Sequence, residues 1–73
     1  MALYYLNLTP KSEGKGLHYE IHKEDCKWLE QVEHFELIGN FFNCRGAINK
    51  AKLDHPDWKI DGCFYCCKDC HNL

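Results

Sequence analysis

The sequence predicts a small α+β domain, and three features of its 73 residues predict it. Apolar and polar residues alternate near the N-terminus, as they do in a half-buried β-strand. Apolar residues later in the chain recur with the period of an α-helix. Six cysteines are present, four of them in the last eleven residues, in a chain whose core is small for a stable fold. We therefore expect a single domain over residues 1–73 that a metal or disulfide framework stabilises.

The first predicted element is an N-terminal β-hairpin over residues 3–22 with a wide loop. Residues 3–8 are rich in leucine and tyrosine, and residues 9–16 are polar with one proline and two glycines, which is typical of a loop. Residues 17–22 alternate between apolar and polar side chains, so the second strand has one face for the core. Its other face carries the polar side chains His18, Glu20 and His22.

The middle of the chain predicts less regular structure. Residues 23–36 are charged, with Trp28, Leu29, Val32 and Phe35 at roughly helical spacing, which fits either a short helix or an ordered loop. Residues 37–42 are apolar except at Gly39-Asn40, which predicts a further strand with an interruption there.

One main helix is predicted over residues about 44–54. Asn43 is a favourable N-cap residue, and His55-Pro56 ends the helix. A short strand at 58–60 and a turn at Asp61-Gly62 are expected to lead into a C-terminal CxxC knuckle. The buried stripe of the helix is formed by Cys44, Ala47, Ile48 and Ala51.

Composition excludes several classes of protein. A hydrophobic content of 45% is too high for a disordered chain, and no apolar run approaches the length of a membrane span. The formal charge of −2 is a poor electrostatic match for nucleic acid. The first residues lack the basic start of a secretory signal, so we expect a cytoplasmic protein. In a reducing compartment, paired cysteines indicate metal ligands first and disulfides second.

The strongest chemical signal is a pair of short motifs, HxxxC at His22 and Cys26 and CxxC at Cys63 and Cys66. Zinc prefers four nitrogen or sulfur ligands in a tetrahedron, and each motif supplies two such ligands from a tight turn. An excess of possible ligands favours a closed structural site over a catalytic one. The motifs therefore predict one Zn²⁺ on His22, Cys26, Cys63 and Cys66, with no catalytic residues.

The remaining cysteines and histidines leave alternatives open. Cys67 and Cys70 replace His22 as ligands in one alternative, and join Cys44 and His71 around a second metal in another. A disulfide to Cys44 and simple packing are two further alternatives. His18 shares a strand face with His22 and is a candidate alternate ligand or supporting group. The two histidines without partners at ligand spacing are expected to lie on the solvated surface, namely His34 and His55.

The same motifs carry a family resemblance. The order of the HxxxC pair, a strand-to-helix step and a terminal CxxC resembles the Ada-type metal-binding domain, a zinc module of bacterial DNA repair. The resemblance rests on His22, Cys26, Gly39, Phe41, Ala47, Ala51, Cys63 and Cys66. It implies a small α/β fold with zinc on the HxxxC and CxxC residues. It does not extend to methyl transfer, because that chemistry needs a thiolate where this chain has His22. The chain also resembles a group of short bacterial proteins with no activity attached to them.

The sequence thus predicts a non-enzymatic zinc module that mediates protein interaction. Its partner is expected to be another protein or a second copy, with a homodimer seam along the strand edge at 3–8 and no membrane contact. One alternative is an Ada-like nucleic-acid binder that uses a basic face near Arg45, Lys50 and Lys52. The other is a thiol-based redox or metal-handling protein with an accessible cysteine, Cys67 or Cys70.

Overall fold

The computed structural model describes residues 1–13 and 16–71 and confirms the predicted α+β class. Gly14 and Lys15, which belong to the predicted loop at 9–16, lie outside the described residues. The strands are β1 (Ala2–Asn7), β2 (Lys11–Glu13), β3 (Gly16–Lys23), β4 (Phe35–Phe41) and β5 (Ile60–Gly62). The helix is α1 (Cys44–Asp54), and two short 3₁₀ helices span Lys27–Gln31 and Lys68–Cys70.

The predicted hairpin forms the centre of the sheet. β1 pairs antiparallel with β3, where Tyr5 lies opposite His22, and also antiparallel with β4, where Tyr5 lies opposite Leu37. The connection between β1 and β3 contains β2, which pairs antiparallel with β3. Because β1 has a partner on each side, it is not an edge. The homodimer seam expected along 3–8 is therefore wrong as a strand-edge contact.

β4 confirms the predicted strand and its interruption. The register between β1 and β4 shifts between Tyr4 and Tyr5, opposite a glycine, Gly39, that adopts a φ of +146°. That backbone angle favours glycine, since other side chains rarely adopt it. In the segment at 23–36, the structure has a 3₁₀ helix rather than an α-helix.

The predicted helix at 44–54 is confirmed at both ends. Asn43 Oδ1 accepts hydrogen bonds from the backbone N–H groups of Arg45 (3.1 Å) and Gly46 (3.3 Å). His55 follows the last residue, and its N–H donates to Ala51 O at 2.9 Å. The buried stripe packs on one face of the sheet, and together they form the core around Tyr4, Leu6, Ile21, Ile38, Cys44, Ala47, Ile48 and Ala51.

The short strand predicted at 58–60 is displaced towards the C-terminus. β5 pairs parallel to β3, with Glu20 opposite Asp61 and Ile21 opposite Gly62. Residues predicted as a turn therefore lie in a strand, because the ladder with β3 satisfies their backbone groups. Trp58 instead stacks on Tyr19, with ring centroids 3.8 Å apart. No helix in the described ranges is long and apolar enough to cross a membrane.

Candidate metal centre

Two neighbouring strand ends bring the HxxxC and CxxC motifs together. His22 lies near the end of β3, and a tight turn closed by the Cys26 N–H donating to Lys23 O (2.9 Å) brings Cys26 back beside it. β5 runs parallel to β3 and ends at Gly62, so Cys63 emerges next to the same end of β3. The Cys63 N–H donates to Ile21 O at 3.0 Å and fixes this junction.

The four predicted ligands converge. The imidazole nitrogen and three sulfurs of His22, Cys26, Cys63 and Cys66 all lie within 4.8 Å of one another, and the group could hold a metal ion. Cys26 Sγ is 3.6 Å from His22 Nδ1 and 4.0 Å from Cys63 Sγ, and Cys66 Sγ is 4.0 Å from His22 Nδ1. Tetrahedral Zn–N and Zn–S bonds place neighbouring ligand atoms about 3.5–3.8 Å apart. The cluster needs only small shifts to reach that geometry.

A backbone donor supports the most exposed of the three sulfurs. The Lys23 N–H donates to Cys66 Sγ at 3.3 Å. Such a bond stabilises the thiolate form, since it places a positive dipole end beside the charge. The knuckle itself closes as the Cys67 N–H donates to Cys63 O at 2.9 Å.

In the metal-free protein, the surroundings favour neutral ligands. Burial raises the pKa of Cys63 to about 12. Burial also raises the pKa of Cys26, and the hydrogen-bonded thiol of Cys67, followed by burial, raises that of Cys66. Burial lowers the pKa of His22, which keeps its ring neutral and able to coordinate. A bound metal must therefore displace protons from the three thiols.

A buried polar row on β3 adjoins the centre. Glu20 lies between His18 and His22 on one strand face, and its carboxylate is 3.1 Å from Lys11 Nζ. His18 Nε2 is 3.6 Å from one Glu20 oxygen, and His22 Nε2 is 3.9 Å from the other. His18 is thus a neighbour of the centre through Glu20 and not a member of the ligand cluster. The importance of Glu20 was missed from sequence, although its alternation with two histidines placed all three on one face.

The three cysteines outside the metal cluster form one disulfide and one buried free thiol. Cys44 and Cys70 form a disulfide, which was one of the alternatives open from sequence. Cys67 is a buried free thiol with 3% of its surface exposed, and its Sγ lies 3.9 Å from Cys66 Sγ. Within residues 1–13 and 16–71, no second group of three or more ligands capable of holding a metal is present. A second metal on Cys44, Cys67, Cys70 and His71 is therefore not supported.

The histidines outside the metal cluster and β3 lie in different surroundings. His34 is exposed, as predicted. His55 is half-buried rather than fully solvated, because its ring stacks on Trp58 with centroids 3.9 Å apart and its Nε2 is 3.5 Å from Glu36. His71 Nδ1 is 3.0 Å from Gly62 O and 3.1 Å from Asp61 Oδ2. Since a carbonyl only accepts, the His71 Nδ1 atom must carry a proton in that bond.

An aromatic cleft borders the centre. It has a volume of about 360 Å³, and Cys63 and His22 contribute to its floor. Its walls include Trp28, Phe64 and Tyr65, whose neighbouring rings lie 5.3 Å apart from centroid to centroid. Phe64 is 52% exposed and Tyr65 66% exposed, so this aromatic rim faces solvent.

The comparisons with known proteins do not assign a family. No protein-family model matches the sequence, and searches of curated proteins and of solved structures find no significant similarity. What the fold and the site define is a small α+β domain with a histidine and three cysteines arranged to hold a metal. The resemblance to the Ada-type domain stays a prediction.

Proposed function

We propose that this protein is a small zinc-binding module, that its metal is structural, and that it acts by binding another protein. The convergence of one nitrogen and three sulfurs within 4.8 Å carries the proposal. Thiolate-rich tetrahedral sets favour Zn²⁺, and four protein ligands fill the tetrahedron without leaving a position for substrate. The module is accordingly proposed as non-enzymatic.

The aromatic rim supports the interaction role. The rings of Phe64 and Tyr65 are held beside the metal knuckle, and Tyr65 packs against Trp28. Aromatic side chains on a rigid support are frequent anchors in protein interfaces. The alternative of nucleic-acid binding has weaker support, since the net charge is −2 and Lys50 is paired with Asp54 at 2.6 Å.

A cytoplasmic location and an Ada-type origin complete the proposal. The order of HxxxC, strand-to-helix step and CxxC supports the family assignment, and His22 in the first ligand position argues against methyl transfer. In the cytoplasm the Cys44–Cys70 disulfide would be subject to reduction, because cytosolic thiol systems keep most cysteines reduced.

Cobalt substitution tests the metal site. Co²⁺ added to the metal-free protein should give the intense absorption of tetrahedral cobalt with thiolate charge-transfer bands, and one equivalent of Zn²⁺ should displace it. A weak octahedral spectrum, or no binding, would overturn the site. His22→Ala should lose this tetrahedral cobalt spectrum. The matched control, His34→Ala, changes an exposed histidine and should keep it.

Surface variants test the interaction role. Phe64→Ser with Tyr65→Ser should abolish co-purification of a stoichiometric protein partner while zinc content stays at one per chain. The control is Leu53→Ser, which changes an exposed apolar residue on α1. An identical set of bound proteins in all three forms would contradict the assignment of this rim.

A thiol-based function is the second candidate, and the disulfide beside a free thiol favours it. Cys67 and Cys70 each place a Cβ atom 2.9 Å from where a Cβ on Gly62 would lie, so the two side chains are close. However, Cys67 is buried and Cys70 is in the disulfide, so neither is an accessible free thiol in this state. Alkylation of the native protein separates the candidates: rapid modification of Cys67 supports thiol chemistry, and uniformly slow modification removes it.

A further inference from the structure

The ring of His22 has two nitrogens in two different surroundings. Its Nδ1 faces the sulfurs of Cys26 and Cys66 at 3.6 and 4.0 Å. Its Nε2 is buried on the opposite side of the ring and has no hydrogen-bond partner among the described residues. A neutral imidazole that coordinates through Nδ1 carries its proton on Nε2. Metal binding therefore creates a buried N–H group that requires an acceptor.

The nearest charged acceptor is already in place. Glu20 Oε1 lies 3.9 Å from His22 Nε2, and Glu20 lines the aromatic cleft together with the His22 ring. The two residues are two positions apart on β3, so their side chains leave the same face of the strand. At 3.9 Å the pair is too far apart for a hydrogen bond, and a small ring rotation or carboxylate shift closes the gap.

Each oxygen of the Glu20 carboxylate has a polar neighbour. Lys11 Nζ contacts one oxygen at 3.1 Å, and His18 Nε2 approaches the other at 3.6 Å. The glutamate side chain is 6% exposed, so it does not swing freely in water. A buried carboxylate in this position is costly unless it accepts charge-assisted hydrogen bonds. Its neighbours supply one such bond directly and leave capacity for another from His22.

We propose that Glu20 is a positioning residue for the metal centre: its carboxylate accepts the Nε2–H of His22 and so fixes the ring in the tautomer and orientation that present Nδ1 to the ion. The inference rests on the proposed metal site. It also gives the polar row of β3 a role: Lys11 holds the Glu20 carboxylate, and that carboxylate positions the His22 ring. Partners of this kind change metal affinity by about 10–100-fold in metalloproteins.

Zinc affinity of matched variants tests the proposal. Glu20→Leu removes the acceptor and should weaken zinc binding by about 10–100-fold, whereas Glu20→Gln keeps a carbonyl acceptor and should recover most of that loss. Glu30→Gln, at an exposed carboxylate on the first 3₁₀ helix, should bind zinc like the original protein. Equal affinities for Glu20→Leu and the original protein would overturn the proposal, as would a Gln variant no better than the Leu variant.

Nitrogen NMR of the His22 ring gives a signal that would not change if Glu20 only stabilised the fold. In the zinc-bound original protein, His22 should show a metal-bound Nδ1 and a protonated Nε2 whose hydrogen exchanges slowly and resonates downfield. In Glu20→Leu that hydrogen should exchange rapidly. If the Leu variant does not fold, the original protein decides the matter: a fast-exchanging Nε2–H, or coordination through Nε2, overturns the inference.

The two proposals fail differently. If the original protein takes up no zinc, the metal site itself is wrong. If it binds one zinc through His22 Nδ1 and the Glu20 variants bind equally well, only the role of Glu20 is wrong.

Discussion

The C-terminal segment contacts the rest of the chain through two groups of side chains, the metal cluster and the Cys44–Cys70 disulfide. These two fastenings lie on opposite faces of the sheet. His22 and Ile21 are neighbours on β3, so their side chains point to opposite faces. Ile21 packs in the core beneath α1, where Cys44 is bonded to Cys70. His22 faces the other way and meets the cysteines of the metal cluster. Between the two fastenings lies Gly62, against the side chains of Cys67 and Cys70.

The proposed metal site and the disulfide respond to different chemistry. Protons compete with zinc for its ligands, and a chelator removes the ion, whereas a reductant breaks a disulfide. Structural zinc contributes about 10–16 kcal/mol of apparent binding energy in small domains. A disulfide between residues 26 positions apart contributes roughly 3.5 kcal/mol through loop entropy. With the proposed zinc bound, we expect the cluster of His22, Cys26, Cys63 and Cys66 (the metal face of the sheet) to contribute more to stability than the Cys44–Cys70 bond beneath α1 (the helix face).

Loss of a metal ligand is expected to have the largest effect. Cys63→Ser leaves three ligands and removes the sulfur at the end of β5, so the variant should lose zinc and cooperative thermal unfolding, as followed by circular dichroism. A chelator should have the same effect on the original protein. His34→Ala should behave like the original. A folded, monodisperse Cys63→Ser protein would contradict the dominance of the metal face.

Acid is expected to weaken the metal face alone. Burial holds the pKa of Cys63 near 12, above its ordinary value of 9.0, so the metal-free fold carries neutral thiols at neutral pH. Zinc binding then releases up to three protons, and each pH unit downward should reduce its affinity by up to about 4 kcal/mol. Competition titrations one pH unit either side of neutrality measure this slope. A flat profile would show that the thiols are not the ligands.

Removal of the disulfide should cost less and leave the zinc in place. Cys44→Ala with Cys70→Ala should lower the free energy of unfolding by about 3.5 kcal/mol, measured by denaturant titration. Mild reduction of the original protein should lower stability by a similar amount. Loss of zinc together with the disulfide would show that the two fastenings are not independent.

A side chain at Gly62 should disturb both fastenings modestly. A Cβ there would lie 2.7 Å from the carbonyl oxygen of Cys67, so Gly62→Ala should destabilise the fold by about 1–3 kcal/mol. Gly46→Ala is the comparison: a Cβ there would lie 2.9 Å from a ring carbon of Phe41, a partly exposed side chain that can shift, and alanine favours the helix, so the loss should be smaller. Equal stability changes at the two positions would contradict the tight junction at Gly62.

The smallest effect is expected at the start of α1. Asn43→Ala removes the cap that accepts from Arg45 and Gly46 and should cost about 1 kcal/mol in denaturant titrations. Because the cap lies on the helix face, zinc affinity should not change. Asn49→Ala, at an exposed position within α1, is the control. A changed zinc affinity in Asn43→Ala alone would show coupling between the faces.

The parts that could be predicted from sequence depend on local chemistry. α1 follows from the Asn43 cap and a 3.6-residue period, and the hairpin from alternation in β3. The HxxxC and CxxC spacings each bring two candidate ligands to one turn, which is why the four side chains that converge could be named from sequence.

The parts that could not be predicted depend on contacts distant in sequence. Asp61-Gly62 reads locally as a turn, and only parallel pairing with β3 makes it a strand with a buried carboxylate. The stacking of His55 on Trp58 comes from the folded arrangement after α1 and leaves the His55 side chain only 23% exposed. Disulfide connectivity among six cysteines is likewise set by three-dimensional proximity and not by spacing.

Native mass spectrometry of the intact chain, with and without a chelator, tests the central claim most directly. The account predicts one zinc ion and one disulfide per chain in a narrow, folded charge-state distribution, and a shift to highly charged, unfolded ions when the chelator removes the zinc. A metal-free chain that keeps the narrow, folded distribution would contradict it.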